Sequence, residues 1–123
     1  MTAGTQYAER KNLSKPDETR TFPKGRLEVV TVGGHSMGRA TFEPGWKWSE
    51  CVKPIANTDS CQAPHLGYII SGRMVAVMDD GTKFEFGPGD AMSLPPGHDA
   101  WIVGNENCVV VDFVGFENYA KSK

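Results

Sequence analysis

The chain has little cysteine, little histidine, no apolar run of membrane-spanning length and no surplus of charge of either sign. Its three cysteines, Cys51, Cys61 and Cys108, are an odd number in a domain large enough not to need staples. They read as reduced thiols or metal ligands and not as a disulfide framework, with one Cys51–Cys61 bridge geometrically open. No stretch approaches the roughly 18 apolar residues of a membrane span, and the start MTAGTQYAERK is too polar for a secretory signal. A soluble cytoplasmic protein without a membrane partner is the expectation. Thirteen Lys plus Arg against fifteen Asp plus Glu give a formal charge of −2, too weak a field to favour nucleic acid as a partner. G-x-S-x-G, the P-loop, a G-x-G-x-x-G after a strand and H-E-x-x-H are all missing, so hydrolase-elbow, nucleotide-binding and zincin readings have no support.

What is present describes one ordinary globular domain: 123 residues, 39% hydrophobic and 23% charged. Residues 1–26 carry mixed charge and few large apolar side chains, and they read as an N-terminal arm with Phe22 as its anchor. From 27 to 116 short runs of β-branched and aromatic residues are broken by Gly and Pro every 8 to 12 residues or so, an all-β rhythm. Residues 117–123 read as a tail. Expected strands are Leu27–Val32, Gly38–Phe42, Trp46–Ser49, Gly67–Ile70, Arg73–Met78, Lys83–Phe86, Ala91–Leu94, Ala100–Val103 and Cys108–Val114. Asp80-Gly81 signals a hairpin, because its residues tolerate the positive φ of a tight turn. Met74 to Met78 is apolar on both faces, as in a strand covered on both sides, whereas Lys83-Phe84-Glu85-Phe86 alternates and predicts one wet and one buried face. Cys51 to Pro64 lacks a strand period and is long enough to be a binding loop.

The string Gly89-Asp90, then Pro95, Pro96 and Gly97, resembles the second motif of the cupin family, G-D-x4-P-x-G. Pro44-Gly45 and the string Gly67-Tyr68-Ile69-Ile70-Ser71-Gly72 match the ends of the first motif. The resemblance covers about Val30 to Phe113. It implies a cupin-like jelly-roll β-barrel, a double-stranded β-helix, that pairs as a homodimer and binds a small organic molecule in the barrel at a divalent-metal site. Oxygenase, isomerase or lyase chemistry is implied, with a ligand-sensing module without metal as the alternative. The scaffold matches and the ligands depart. The family's Glu position holds His65, Cys61 stands where a His belongs, and Asp59 lies two before it. A second register from Pro44-Gly45 puts Cys51 on the His-x-His-Pro string instead, and counting leaves both registers open. In the second motif the ligand position holds Ala100, but His98, two residues earlier, shares its face of an extended strand.

The candidate metal set is therefore His65, His98, Cys61 and Cys51. Imidazole and thiolate ligands suit zinc ahead of iron, which enters if a carboxylate joins. Tyr68, Trp101 and Trp48 are the candidate walls of a substrate pocket, with Trp46 and Trp48 also readable as core or interface residues. Asp99 is the candidate general base, or else a solvated turn carboxylate. Cys108, within Cys108-Val109-Val110-Val111, belongs to the core. His35, between Gly34 and Ser36, is expected on the surface.

Overall fold

A computed structural model describes residues 8–114 of the chain. The tail expected at 117–123 lies outside the described residues. Nine antiparallel strands appear among them: β1 (Glu18–Phe22), β2 (Gly25–Val32), β3 (His35–Phe42), β4 (His65–Ser71), β5 (Arg73–Met78), β6 (Lys83–Phe86), β7 (Ala91–Leu94), β8 (His98–Val103) and β9 (Cys108–Val114). They form one six-stranded sheet in the order β1-β2-β3-β9-β4-β7 and one three-stranded sheet in the order β6-β5-β8. Two one-turn helices, α1 (Trp48–Cys51) and α2 (Lys53–Ala56), fill the link between β3 and β4. No helix among the described residues is long and apolar enough to cross a membrane.

Period-two alternation builds the core. Ala40 of β3, Ile69 of β4, Met92 of β7 and Val110 of β9 are buried from one sheet, and Met74, Ala76, Ala100 and Ile102 from the other. Burying a side chain the size of Ile69, fully enclosed, contributes about 1.5–3 kcal/mol. The chain passes from the large sheet to the small one across a single residue, Gly72, at φ 76°. A Cβ there would stand 2.5 Å from the Asn107 carbonyl and the Cys108 Cα, so only glycine closes the corner. The Asp80-Gly81 hairpin joins β5 to β6 as expected, with Gly81 at φ 91°.

Several expectations need correction. The strand predicted over Trp46–Ser49 is not formed. Trp46 and Trp48 are each only 2% exposed, and the chain makes one bridge, Lys47 to Trp101, before turning into α1. The Asp99 carboxylate accepts the Ser49 N–H at 3.1 Å, which favours the helical turn over an extended run. Within the stretch read as an arm, residues 18–22 pair with β2 as an edge strand, and Phe22 is buried against Phe42 and Trp46. β5 is covered on one face only, since Val75 and Val77 stay half-buried beside buried Met74 and Ala76. The alternation in β6 does not yield a buried face, because β6 is a sheet edge paired only with β5 and leaves Phe84 52% exposed.

Candidate functional site

Three backbone hydrogen bonds bring the loop after α2 onto the start of β8. The Cys61 N–H donates to the His98 carbonyl at 2.7 Å, and the Cys61 carbonyl accepts from Gly97 N at 2.7 Å and His98 N at 3.3 Å. Gly97 makes this turn at φ 95°, where a Cβ would meet the Asp79 carboxylate at 2.7 Å. His65 opens β4 opposite Leu94, on the inward side shared by Gly67 and Ile69. The three side chains converge: the ligand atoms of Cys61, His65 and His98 all lie within 4.8 Å of one another. The two imidazole centroids are 5.3 Å apart in an edge arrangement.

The surroundings are largely apolar. A cavity of about 30 Å³ opens between the sheets, with Leu27, Phe42, Met74, Met92 and Val110 on its walls and the Cys-His-His cluster in its lining. Burial holds the cluster neutral. It lowers the His65 imidazole to about 4, with the neighbouring His98 adding to the effect. It raises the Cys61 thiol to about 11 and draws His98 below its ordinary value. His98 Nδ1 lies 2.8 Å from the Pro95 carbonyl. A carbonyl only accepts, so Nδ1 carries the proton and Nε2 keeps its lone pair free for the cluster.

Asp112, which the sequence reading missed, stands behind His65. Its Oδ2 lies 3.8 Å from His65 Nδ1, an ion-pair separation longer than a hydrogen bond. Burial pushes the Asp112 carboxyl up to about 7. Its Oδ1 is buried without a hydrogen-bond partner. Gly67 makes room for it, since a Cβ there would sit 2.5 Å from that oxygen. The signal was available, because Cys108, Val110 and Asp112 share the inward parity of β9.

These residues fit a divalent metal ion. They supply one sulfur and two nitrogens, each imidazole has an oxygen beside its outer ring nitrogen, and a cation would favour the thiolate that burial now opposes. Of the two sequence registers, the one built on Cys61 and His65 has its side chains brought together. Cys51 is buried on α1 but lies outside both the cluster and the cavity lining. All three cysteines are free and buried, so the Cys51–Cys61 bridge is not formed. Cys108 is fully enclosed in the core as expected.

The aromatic expectations divide. Trp48 lines the cavity, and so does Trp46. Tyr68 does not, because its parity in β4 is opposite to that of Gly67 and Ile69, and it stands 43% exposed on the outer face. Trp101 has the outward parity of β8, between buried Ala100 and Ile102, and carries Lys47 and Lys83 over its ring at 5.4 and 5.8 Å. Asp99 points the same way. Its carboxylate accepts from Ser49 N and Ala100 N and lies outside the cavity lining. His35 is exposed at the start of β3, as its turn setting implied.

No family model matches the chain, and no curated protein matches it significantly. Solved structures do. A sugar phosphate isomerase of the cupin superfamily from Silicibacter pomeroyi superposes with a TM-score of 0.59 at 16% identity, over 85% of this chain and 73% of that one. The polyketide cyclase RemF from Streptomyces resistomycificus gives 0.57 at 17% identity, over 86% and 79%. Oxalate decarboxylase from Lactobacillus farciminis gives 0.56 at 16% identity, over 80% of this chain and 30% of that one. At such identities the likeness speaks for the fold alone.

Proposed function

We propose that this chain, which has the cupin fold, holds a divalent metal ion on Cys61, His65 and His98 and acts there on a small organic molecule. The observation that carries the reading is the convergence of one thiol and two imidazoles within 4.8 Å, in a hollow whose walls are otherwise largely apolar. One thiolate with two imidazoles suits zinc ahead of iron, whose usual sites include a carboxylate. Three protein ligands are the number found at catalytic zinc sites, which keep a position open, whereas structural sites close it. The chemistry a bound ion supplies is polarisation of a substrate oxygen or activation of water. Zinc is redox-inert, which favours isomerase or lyase chemistry over oxygenation.

The chain's own groups prepare that role. The Pro95 carbonyl fixes the tautomer of His98, and Asp112 sits behind the outer nitrogen of His65. Apolar walls keep bulk water from competing for the site. A second reading, a ligand-binding module that works without metal, draws support from the neutrality that burial imposes on His65 and Cys61. Melting shifts and product formation, followed together over a panel of small metabolites with zinc-loaded protein, separate the two. Turnover supports the enzyme; binding without turnover, unchanged by removing zinc, supports the module.

The homodimer belongs to the same proposal. Leu66, Tyr68, Ile70 and Phe113 are 43–51% exposed on β4 and its neighbour β9, an apolar surface suited to an isologous pair. Sedimentation of the wild type and Ile70→Glu tests it, with a dimer expected for the first and a monomer for the second.

A further inference from the structure

We infer that the cavity selects a small, uncharged, mainly apolar molecule bearing an acceptor oxygen, a short-chain alcohol or ketone, and that Trp46 is the residue that reads that oxygen. The inference rests on the reading of the cavity as the ligand site and adds the class of ligand to it.

The lining carries the argument. Among the described residues it contains no Lys, Arg, Ser, Thr, Asn, Gln or Tyr. Beyond the cysteine and the two histidines, the lining side chains that carry a polar atom are Trp46, Trp48 and Asp112. Trp46 Nε1 is buried without a hydrogen-bond partner, and so is Asp112 Oδ1. A buried donor left in that state is destabilising, and a ligand oxygen accepting from it removes the penalty.

Charge excludes the other classes. A carboxylate or phosphate would enter a hollow that offers no cationic side chain and already holds a carboxyl group. A polyol would bring more hydroxyls than Trp46 Nε1 and Asp112 Oδ1 can pair and would bury the rest against Leu27, Met92 and Val110. Size narrows the class further. The cavity, about 30 Å³, takes a molecule of a few heavy atoms or the oxygen-bearing end of a longer one.

The test is a titration of metal-free protein with butan-2-one, butanoate and glycerol, read on the indole N–H resonances of the three tryptophans. Assignment uses Trp48→Phe and Trp101→Phe. Butan-2-one should move the Trp46 indole signal saturably, and Trp46→Phe should weaken its binding by about fivefold, the worth of one neutral hydrogen bond. Butanoate and glycerol should leave the Trp46 signal in place. The inference is overturned if butanoate or glycerol binds as well as butan-2-one, or if butan-2-one fails to move the Trp46 signal up to its solubility limit. The wild-type signal decides the matter even if Trp46→Phe does not fold. Because no metal is present, failure of the chain to load zinc would overturn the metal reading and leave this result standing.

Discussion

Cys61 and His98 are tied to each other by backbone hydrogen bonds in both directions, at 2.7 and 3.3 Å. The pairing turns a loop residue into part of a β-bridge and places its sulfur beside two imidazoles contributed by different sheets. A thiol on an unanchored loop would have lost conformational entropy each time it bound a metal. Here the backbone has already been ordered by folding.

The ligand set is tested by cobalt(II). Wild-type protein and Cys51→Ser should both develop the near-ultraviolet thiolate-to-cobalt absorption, and Cys61→Ser should lack it. Metal affinity should fall by about 100-fold or more in Cys61→Ser, since even outer partners of metal ligands cost about 10–100-fold. Loss of the band in Cys51→Ser with retention in Cys61→Ser would favour the register built on Cys51.

The buried pair His65 and Asp112 gives a pH signature in metal-free protein. The folded imidazole titrates near 4, below its unfolded value of 6.5, so its share of stability is complete above pH 6.5 and is lost as pH falls toward 4. The folded carboxyl titrates near 7, above its unfolded 3.8, so its share is complete below pH 3.8 and is lost as pH rises through 7. Between these limits folding moves one proton from imidazole to carboxyl with no net uptake, and the two slopes cancel. Asp112→Asn should expose the first slope, with stability rising between pH 4 and 6.5 relative to wild type. His65→Gln should expose the opposite one. Each is at most about 1.4 kcal/mol per pH unit in chemical-denaturation series. Parallel curves for all three proteins would show that the groups do not titrate as placed.

Alkaline conditions test the thiols. Cys61 and Cys108 each stand at about 11 when folded, against 9.0 for an ordinary thiol. The unfolded chain therefore gives up these protons first, and stability should fall as pH rises from about 9 to about 11. Cys108→Ala should shallow that fall relative to wild type under reducing conditions, and an unchanged slope would contradict the burial assigned to the thiol.

Asp99 and Tyr68 provide the negative controls. Asp99→Ala should cost about 1 kcal/mol through loss of the acceptor at the start of α1 and leave zinc affinity unchanged. Tyr68→Ala should leave both zinc and small-molecule binding unchanged. A loss of metal binding or turnover in either variant, without loss of folding, would return it to the site.

Much of the scaffold could be read from residue order, because glycine, proline and alternation act locally. Gly72, Asp80-Gly81 and the P-P-G-H turn mark corners that need particular backbone angles, and β5, β6, β7 and β9 were bounded correctly by their flanking turns. The site was legible only in part. His65, His98 and Cys61 were candidates by position, but the choice of Cys61 over Cys51 depends on a bridge to β8 that no local pattern encodes. Tyr68 and Trp101 were placed in the pocket because their strands flank it. Parity decides the face, and theirs points outward. Asp112 stands as one charge in an apolar run, and the same parity puts it inside. Trp46 to Ser49 failed as a strand because aromatic content was read as β propensity, while burial and a carboxylate from β8 decided the matter.

The central claim is that Cys61, His65 and His98 form one metal site, and zinc content per chain tests it most directly. Wild-type protein loaded with zinc and then desalted should retain one equivalent by elemental analysis, while His98→Ala and Cys61→Ser, still folded by circular dichroism, should retain almost none. Zinc absent from the wild type, or retained equally by all three, would contradict it.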